Sequence, residues 1–166
     1  MINGLNIERF RASVAAVEND HAQGKAAFRA DLRWVSGTKN EISVRRFPAF
    51  ATDEPKNMGG ENAAPNPVEY LLGAAAGCFS IGFEWQAAQA GVELASLEVS
   101  ASGGIDIAKL FGMEAGYGGL DGLVLDVKVK ADADLPALQA FAERAAATSP
   151  VLNSLKTRAE VRVEKI

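Results

Sequence analysis

Between Tyr70 and Phe79 the chain reads YLLGAAAGCF, ten positions without a charge. As a helix this stretch offers no face marked for water, so a fold that contains it must cover it on every side. Its flanks are helix signals. Asn66 is a capping residue, Pro67 suits a first turn where its missing N–H is not needed, and Glu69 suits the positive end of the helix dipole. Gly91 stops the pattern, and a helix over about 66–90 is a rod of roughly 37 Å. Gly73 and Gly77, with Ala74, Ala75 and Ala76 between them, are in part poor helix formers, but they let another backbone come close. A crossing helix is therefore expected, from the same chain or from a second copy. The apolar run falls well short of the roughly 20 residues a bilayer requires, so no membrane span is expected.

The 166 residues suit one domain, 1–166, and 48% hydrophobic against 23% charged residues is enough to build a core. Seventeen Lys and Arg face 21 Asp and Glu, a net charge of −4 that provides no attraction for phosphate backbones, so nucleic acid is not an expected partner. The only cysteine, Cys78, excludes an intrachain disulfide, and the opening MINGLNIERF lacks the apolar run of a secretory signal. A cytoplasmic protein is expected. One histidine, His21, and one cysteine cannot make a His/Cys metal shell, and the carboxylates lack ligand spacing. The expectation is no metal and no cofactor.

Ahead of the long helix, Ile7, Phe10, Val14 and Val17 recur at helical spacing and predict an amphipathic helix over about 6–20. After Gly24 the period becomes two. Phe28, Ala30, Leu32 and Trp34 alternate with Arg29, Asp31 and Arg33, Ser36 to Asn40 has turn chemistry, and Glu41 to Phe47 alternates again, which predicts a hairpin over about 25–47. On that register Arg46 shares the face of Ile42 and Val44 and points inward, where a charge needs a partner. Residues 51–65, with Asp53-Glu54-Pro55 and Gly59-Gly60, read as a loop.

Beyond the long helix, Leu97, Val99 and Ala101, then Leu123, Leu125, Val127 and Val129, alternate with polar residues as two more strands. Asp134 caps a helix with Leu135, Leu138, Phe141, Ala142 and Ala145 on one stripe, which ends at Ser149-Pro150. Val161 and Val163, alternating with Arg158, Glu160, Arg162 and Glu164, form a last strand. Helix, two strands, long helix, two strands, helix and strand make an α+β fold rather than a doubly wound one.

Few residues here carry chemistry. The glycines from Gly112 to Gly122 lack the GK[ST] or GxGxxG pattern of a phosphate loop and read as a strand connection. His21 has no GxSxG serine to serve and reads as solvated surface. Asp53 and Glu54 beside Pro55 read as a polar turn. Cys78 has two readings: a small hydrophobe buried in an Ala/Gly helix, or a reactive thiol. It lies mid-helix, away from the positive helix end, so reactivity calls for a nearby cation.

The stretch ATDEPKNMGGENAAPNPVEYLLGAAAGCF, followed by GVELASLEVSASGGIDI and later by TSPVLNSL, resembles the OsmC/Ohr family, named for osmotically inducible protein C and organic hydroperoxide resistance protein. The resemblance covers roughly residues 25–166 and is most specific in PNPVEYLLGAAAGC. It implies an intertwined homodimer in which antiparallel sheets wrap long central helices, with a cysteine at each interfacial active site. It also implies reduction of organic hydroperoxides through a cysteine sulfenic acid, which a second cysteine then traps. Cys78 matches the reactive cysteine. The position of the second cysteine is occupied by Ser149, in Ser149-Pro150-Val151-Leu152, so the branch resembled has no internal resolving thiol. The family glutamate falls at Val68, with Glu69 next to it, and the activating arginine falls near Thr38 or Lys39. Arg46 or Lys39 is then the candidate cation for Cys78, and Arg29, which alternates outward, is a weaker one. Ser149 also has a plain structural role available, as an N-cap before Pro150.

Two functions follow as expectations. One is a thiol-dependent hydroperoxide reductase with Cys78, Arg46 and Glu69 in catalytic roles. Tyr70, Phe79, Phe83 and Ser149 would contact an organic hydroperoxide, and an external thiol would be the reductant. The other is a non-catalytic dimer that binds a hydrophobic small molecule at its interface, with Cys78 inert.

Overall fold

Strand alternation and a tight turn build the smaller of two units, Ala12–Leu71. Strand β1 (Asp31–Ser36) pairs antiparallel with β2 (Lys39–Ser43) around Gly37, whose φ of +53° is one that side-chain-bearing residues rarely adopt. A third strand, β3 (Phe50–Thr52), joins β2 to give the order β1-β2-β3. Ile42 lies opposite both Leu32 and Phe50, so the three form an apolar row across one face. The computed structural model describes residues 1–156 and 159–166.

This sheet departs from the sequence expectation in three places. β1 starts at Asp31 rather than near residue 25, and Phe28 before it is 95% exposed. β2 stops at Ser43, because Arg45 takes φ 51° and the Phe47 N–H bonds back to the Val44 carbonyl at 3.2 Å. Arg46 therefore sits in an exposed turn and does not point inward. Residues 51–65 were expected to be loop, yet Ala51 and Thr52 belong to β3, which is too short to show a period of its own.

Helix α1 (Ile7–Asn19) lies within the predicted 6–20, with the Asn6 side chain accepting from the Arg9 N–H at 3.0 Å as its cap. His21 follows in a short exposed turn. Helix α2 (Pro67–Gln89) is the long rod. Asn66 Oδ1 accepts from the Glu69 N–H at 2.9 Å while Glu69 Oε2 accepts from the Asn66 N–H at 2.8 Å, a reciprocal capping box. At the far end Gly91 takes φ 76°, and the N–H groups of Gly91 and Val92 bond to the carbonyls of Ala88 and Ala87.

In the larger unit, Met1–Arg11 with Leu72–Ile166, the core lies on β5 (Asp121–Ala131). Leu123, Leu125, Val127 and Val129 are buried while Asp126, Lys128 and Lys130 are exposed, the period-two pattern read from the sequence. β5 is the middle strand, antiparallel to β4 (Leu94–Gly104) and parallel to β6 (Glu160–Lys165). This second sheet is mixed rather than antiparallel throughout. Parallel pairing needs a crossover, and the chain between β5 and β6 holds α4 (Leu135–Thr148) and α5 (Pro150–Asn153). The glycine-rich connection from β4 to β5 carries one helical turn, α3 (Ile107–Leu110), capped by Asp106. Arg158, expected on the last strand, lies outside the described residues.

Helices α2 and α4 cross closely in this unit. A Cβ on Gly82 would stand 3.2 Å from the Cβ of Ala145, and the Phe83 and Phe141 rings meet edge-on with centroids 6.0 Å apart. The single chain does not cover the rod on all sides. Ala75, Phe79, Phe83 and Ala87 are buried, while Gly73, Gly77, Ile81 and Trp85, also four residues apart, are exposed. Among the described residues no helix is long and apolar enough to cross a membrane.

Candidate functional site

The α2–α4 crossing places the chemistry. One turn back along α2 from Gly82 is Cys78, and one turn forward along α4 from Ala145 is Ser149. Ser149 Oγ donates to Cys78 Sγ at 3.1 Å. Ser149 is 3% exposed and Cys78 as a residue is half-buried, so the cysteine is not sealed in the core while its hydroxyl partner is. Ser149 also caps α5, accepting from the Leu152 N–H at 3.2 Å. The Asn153 amide donates to the carbonyls of Ala147 at 2.9 Å and Ser149 at 2.8 Å and pins the α4–α5 junction. The structural role foreseen for Ser149 is therefore filled, and the same hydroxyl touches the only sulfur nucleophile of the chain.

The other expected site residues have different surroundings. Phe79 and Phe83 are both 0% exposed, with ring centroids 6.2 Å apart, so in this chain they are core and not the wall of an open pocket. Glu69 has its carboxylate in the α2 capping box. In the smaller unit Tyr70 donates its hydroxyl to the Ala51 carbonyl at 2.6 Å and stacks near Phe50. Lys39 pairs with Glu61, which raises the lysine pKa through their hydrogen bond. Arg29 is tied to Asp31 at 2.9 Å. Arg45 lies 4.7 Å above the Phe47 ring, and beside it Arg46 makes no ion pair among the described residues. Also among the described residues, no three His, Cys, Asp or Glu side chains converge as metal ligands.

Sequence reasoning underrated one residue. Asp53, read as part of a polar turn, is 1% exposed. Its carboxylate accepts from Thr38 Oγ1 at 2.6 Å and from the N–H groups of Glu54, Glu61 and Ala63 at 2.9, 3.1 and 3.1 Å. Thr38 above all, and those backbone donors with it, hold its pKa down at about 2 against the opposing effect of burial. Gly60 closes the same loop, where any Cβ would fall 1.8 Å from the Glu54 carbonyl oxygen. The readable signal was an Asp followed within ten residues by a Gly-Gly pair, a spacing that allows a short loop to fold back onto a carboxylate.

Comparisons with known proteins extend this geometry. Residues 59–164 match the family described as OsmC-like protein. No curated protein sequence matches the chain. Among solved structures, an OsmC-like protein from Mycoplasma pneumoniae superposes with a TM-score of 0.73 at 16% identity, over 86% of this chain and 99% of that one. An organic hydroperoxide resistance protein from Elizabethkingia anophelis, with crystallant-derived thiocyanate bound, gives a TM-score of 0.62 at 19% identity, over 85% and 96%. Another from Legionella pneumophila, named organic hydroperoxide resistance protein OsmC, gives 0.61 at 15% identity, over 85% and 98%. At these identities the likeness is one of fold.

Proposed function

Since the chain belongs to the OsmC-like protein family, we propose that it reduces organic hydroperoxides with Cys78 as its single reactive thiol. The observation that carries this reading is a half-buried Cys78 whose Sγ is held by a hydrogen bond from the buried Ser149. A cysteine that only fills space in a core needs neither partial exposure nor a polar partner. The names of the hydroperoxide resistance proteins that share the fold support the same chemistry.

The reaction proceeds in two stages. The Cys78 thiolate attacks the distal oxygen of ROOH, the S–O bond forms as the O–O bond breaks, and the alkoxide leaves as the alcohol after taking a proton. Sulfur is oxidised by two electrons and the peroxide is reduced. With Ser149 where a second cysteine would stand, the sulfenic acid meets no internal thiol. An external thiol condenses with it, releasing water, and a second external thiol breaks the mixed disulfide to restore Cys78.

A homodimer belongs to this reading. Gly73 and Gly77 are exposed, a Cβ on either would meet nothing within 4 Å, and they continue into Ile81 and Trp85, 48% and 41% exposed. A second copy of the helix covers such a stripe at close range.

The test is consumption of tert-butyl hydroperoxide with a small dithiol as reductant. The wild type is expected to consume peroxide catalytically and Cys78→Ser to fall to the background rate. Equal rates for the two would overturn the reading in favour of a protein that binds a hydrophobic molecule without turning it over.

A further inference from the structure

We propose that Ser149 is a positioning residue for the sulfur of Cys78, not only the cap of α5; the inference rests on the hydroperoxide reductase reading above. A serine hydroxyl has one hydrogen and two lone pairs. The Leu152 N–H, 3.2 Å away, occupies a lone pair, and the hydrogen is directed at Cys78 Sγ, 3.1 Å away. The α5 backbone thus holds the hydroxyl oxygen in place with its hydrogen left free to serve the sulfur. At 3% exposure Ser149 is shielded from water that would otherwise compete for that hydrogen. The Asn153 amide, bonded to the carbonyls of Ala147 and Ser149, keeps the hydroxyl from drifting.

Through the reaction this geometry does two things. Before oxidation the hydroxyl bond holds Sγ in one place on the half-buried Cys78 and leaves the sulfur's other lone pairs for attack on the peroxide. After oxidation, Cys78–SOH has beside it a hydroxyl in place of a thiol, so no internal disulfide can form. The sulfenic acid stays hydrogen-bonded and waits for a thiol from outside. Ser149 so determines both the approach of the first substrate and the need for the second.

The experiment separates sulfur positioning from helix capping. Ser149→Gly removes the hydroxyl while glycine remains an acceptable N-cap, and Ser149→Thr keeps both hydroxyl and cap. The second-order rate of Cys78 oxidation by tert-butyl hydroperoxide is measured by stopped flow, with the thermal unfolding midpoint recorded for each variant. The expected result is a roughly tenfold slower oxidation in Ser149→Gly at a nearly unchanged midpoint, and recovery of most of the rate in Ser149→Thr. A Ser149→Gly protein that stays folded and reacts at the wild-type rate overturns the inference and leaves the reductase reading standing. A wild type that does not react overturns both.

Discussion

Asp53 shows how much one side chain organises in this chain. Its carboxylate ties the β1–β2 turn, through Thr38, to the backbone of the loop from Glu54 to Ala63. Held at about 2, its pKa lies below the 3.8 of an ordinary Asp, so between those values the unfolded chain binds more protons than the folded one. Its contribution to stability is complete above about pH 4 and is lost as pH falls toward 2. Acid unfolding followed by circular dichroism should therefore begin earlier and at higher pH in Asp53→Ala, with a lower thermal midpoint at neutral pH; identical acid profiles would deny Asp53 this role. At the residue scale the sequence singled out Cys78 and, through the family resemblance alone, Ser149, and read Asp53 as a polar turn. The contact between Cys78 and Ser149 joins residues 71 positions apart, which no local period encodes. Arg46 was misplaced for a local reason, because a positive φ at Arg45 ends the strand before the alternation does.

Among the elements, α2 was the most legible, since Asn66, Pro67, Glu69 and Gly91 each mark an end by their own chemistry. β5 was nearly as clear, because one buried face imposes strict alternation. β3 and the parallel pairing of β6 were not legible, the first being too short for a period and the second being decided by the crossover through α4. The α2–α4 crossing itself depends on Gly82, which a sequence shows only as one more glycine. Gly82→Leu forces bulk against Ala145, which is 0% exposed, and overpacking of this kind destabilises by about 1–3 kcal/mol. Urea unfolding should show that loss, together with slower oxidation of Cys78 as Ser149 is displaced. Unchanged stability would mean that the two helices have room to separate.

At the scale of the whole molecule, the rod that must be covered on all sides is covered on one side by its own chain, and the proposed homodimer accounts for the other. Ile81→Asp places a charge in the middle of the exposed stripe, where in a lone chain it is harmless and at an apolar interface it is costly. Sedimentation should show a wild-type dimer and an Ile81→Asp monomer, and a wild type that sediments as a single chain would remove the interface. The account rests finally on the reactivity of one sulfur. Its most direct measurement is the intact mass of the protein after brief exposure to tert-butyl hydroperoxide in the presence of dimedone, which captures sulfenic acids. The account predicts one dimedone adduct per chain, mapped by peptide sequencing to Cys78 and missing from Cys78→Ser. A wild-type chain that emerges with its thiol unmodified would contradict it.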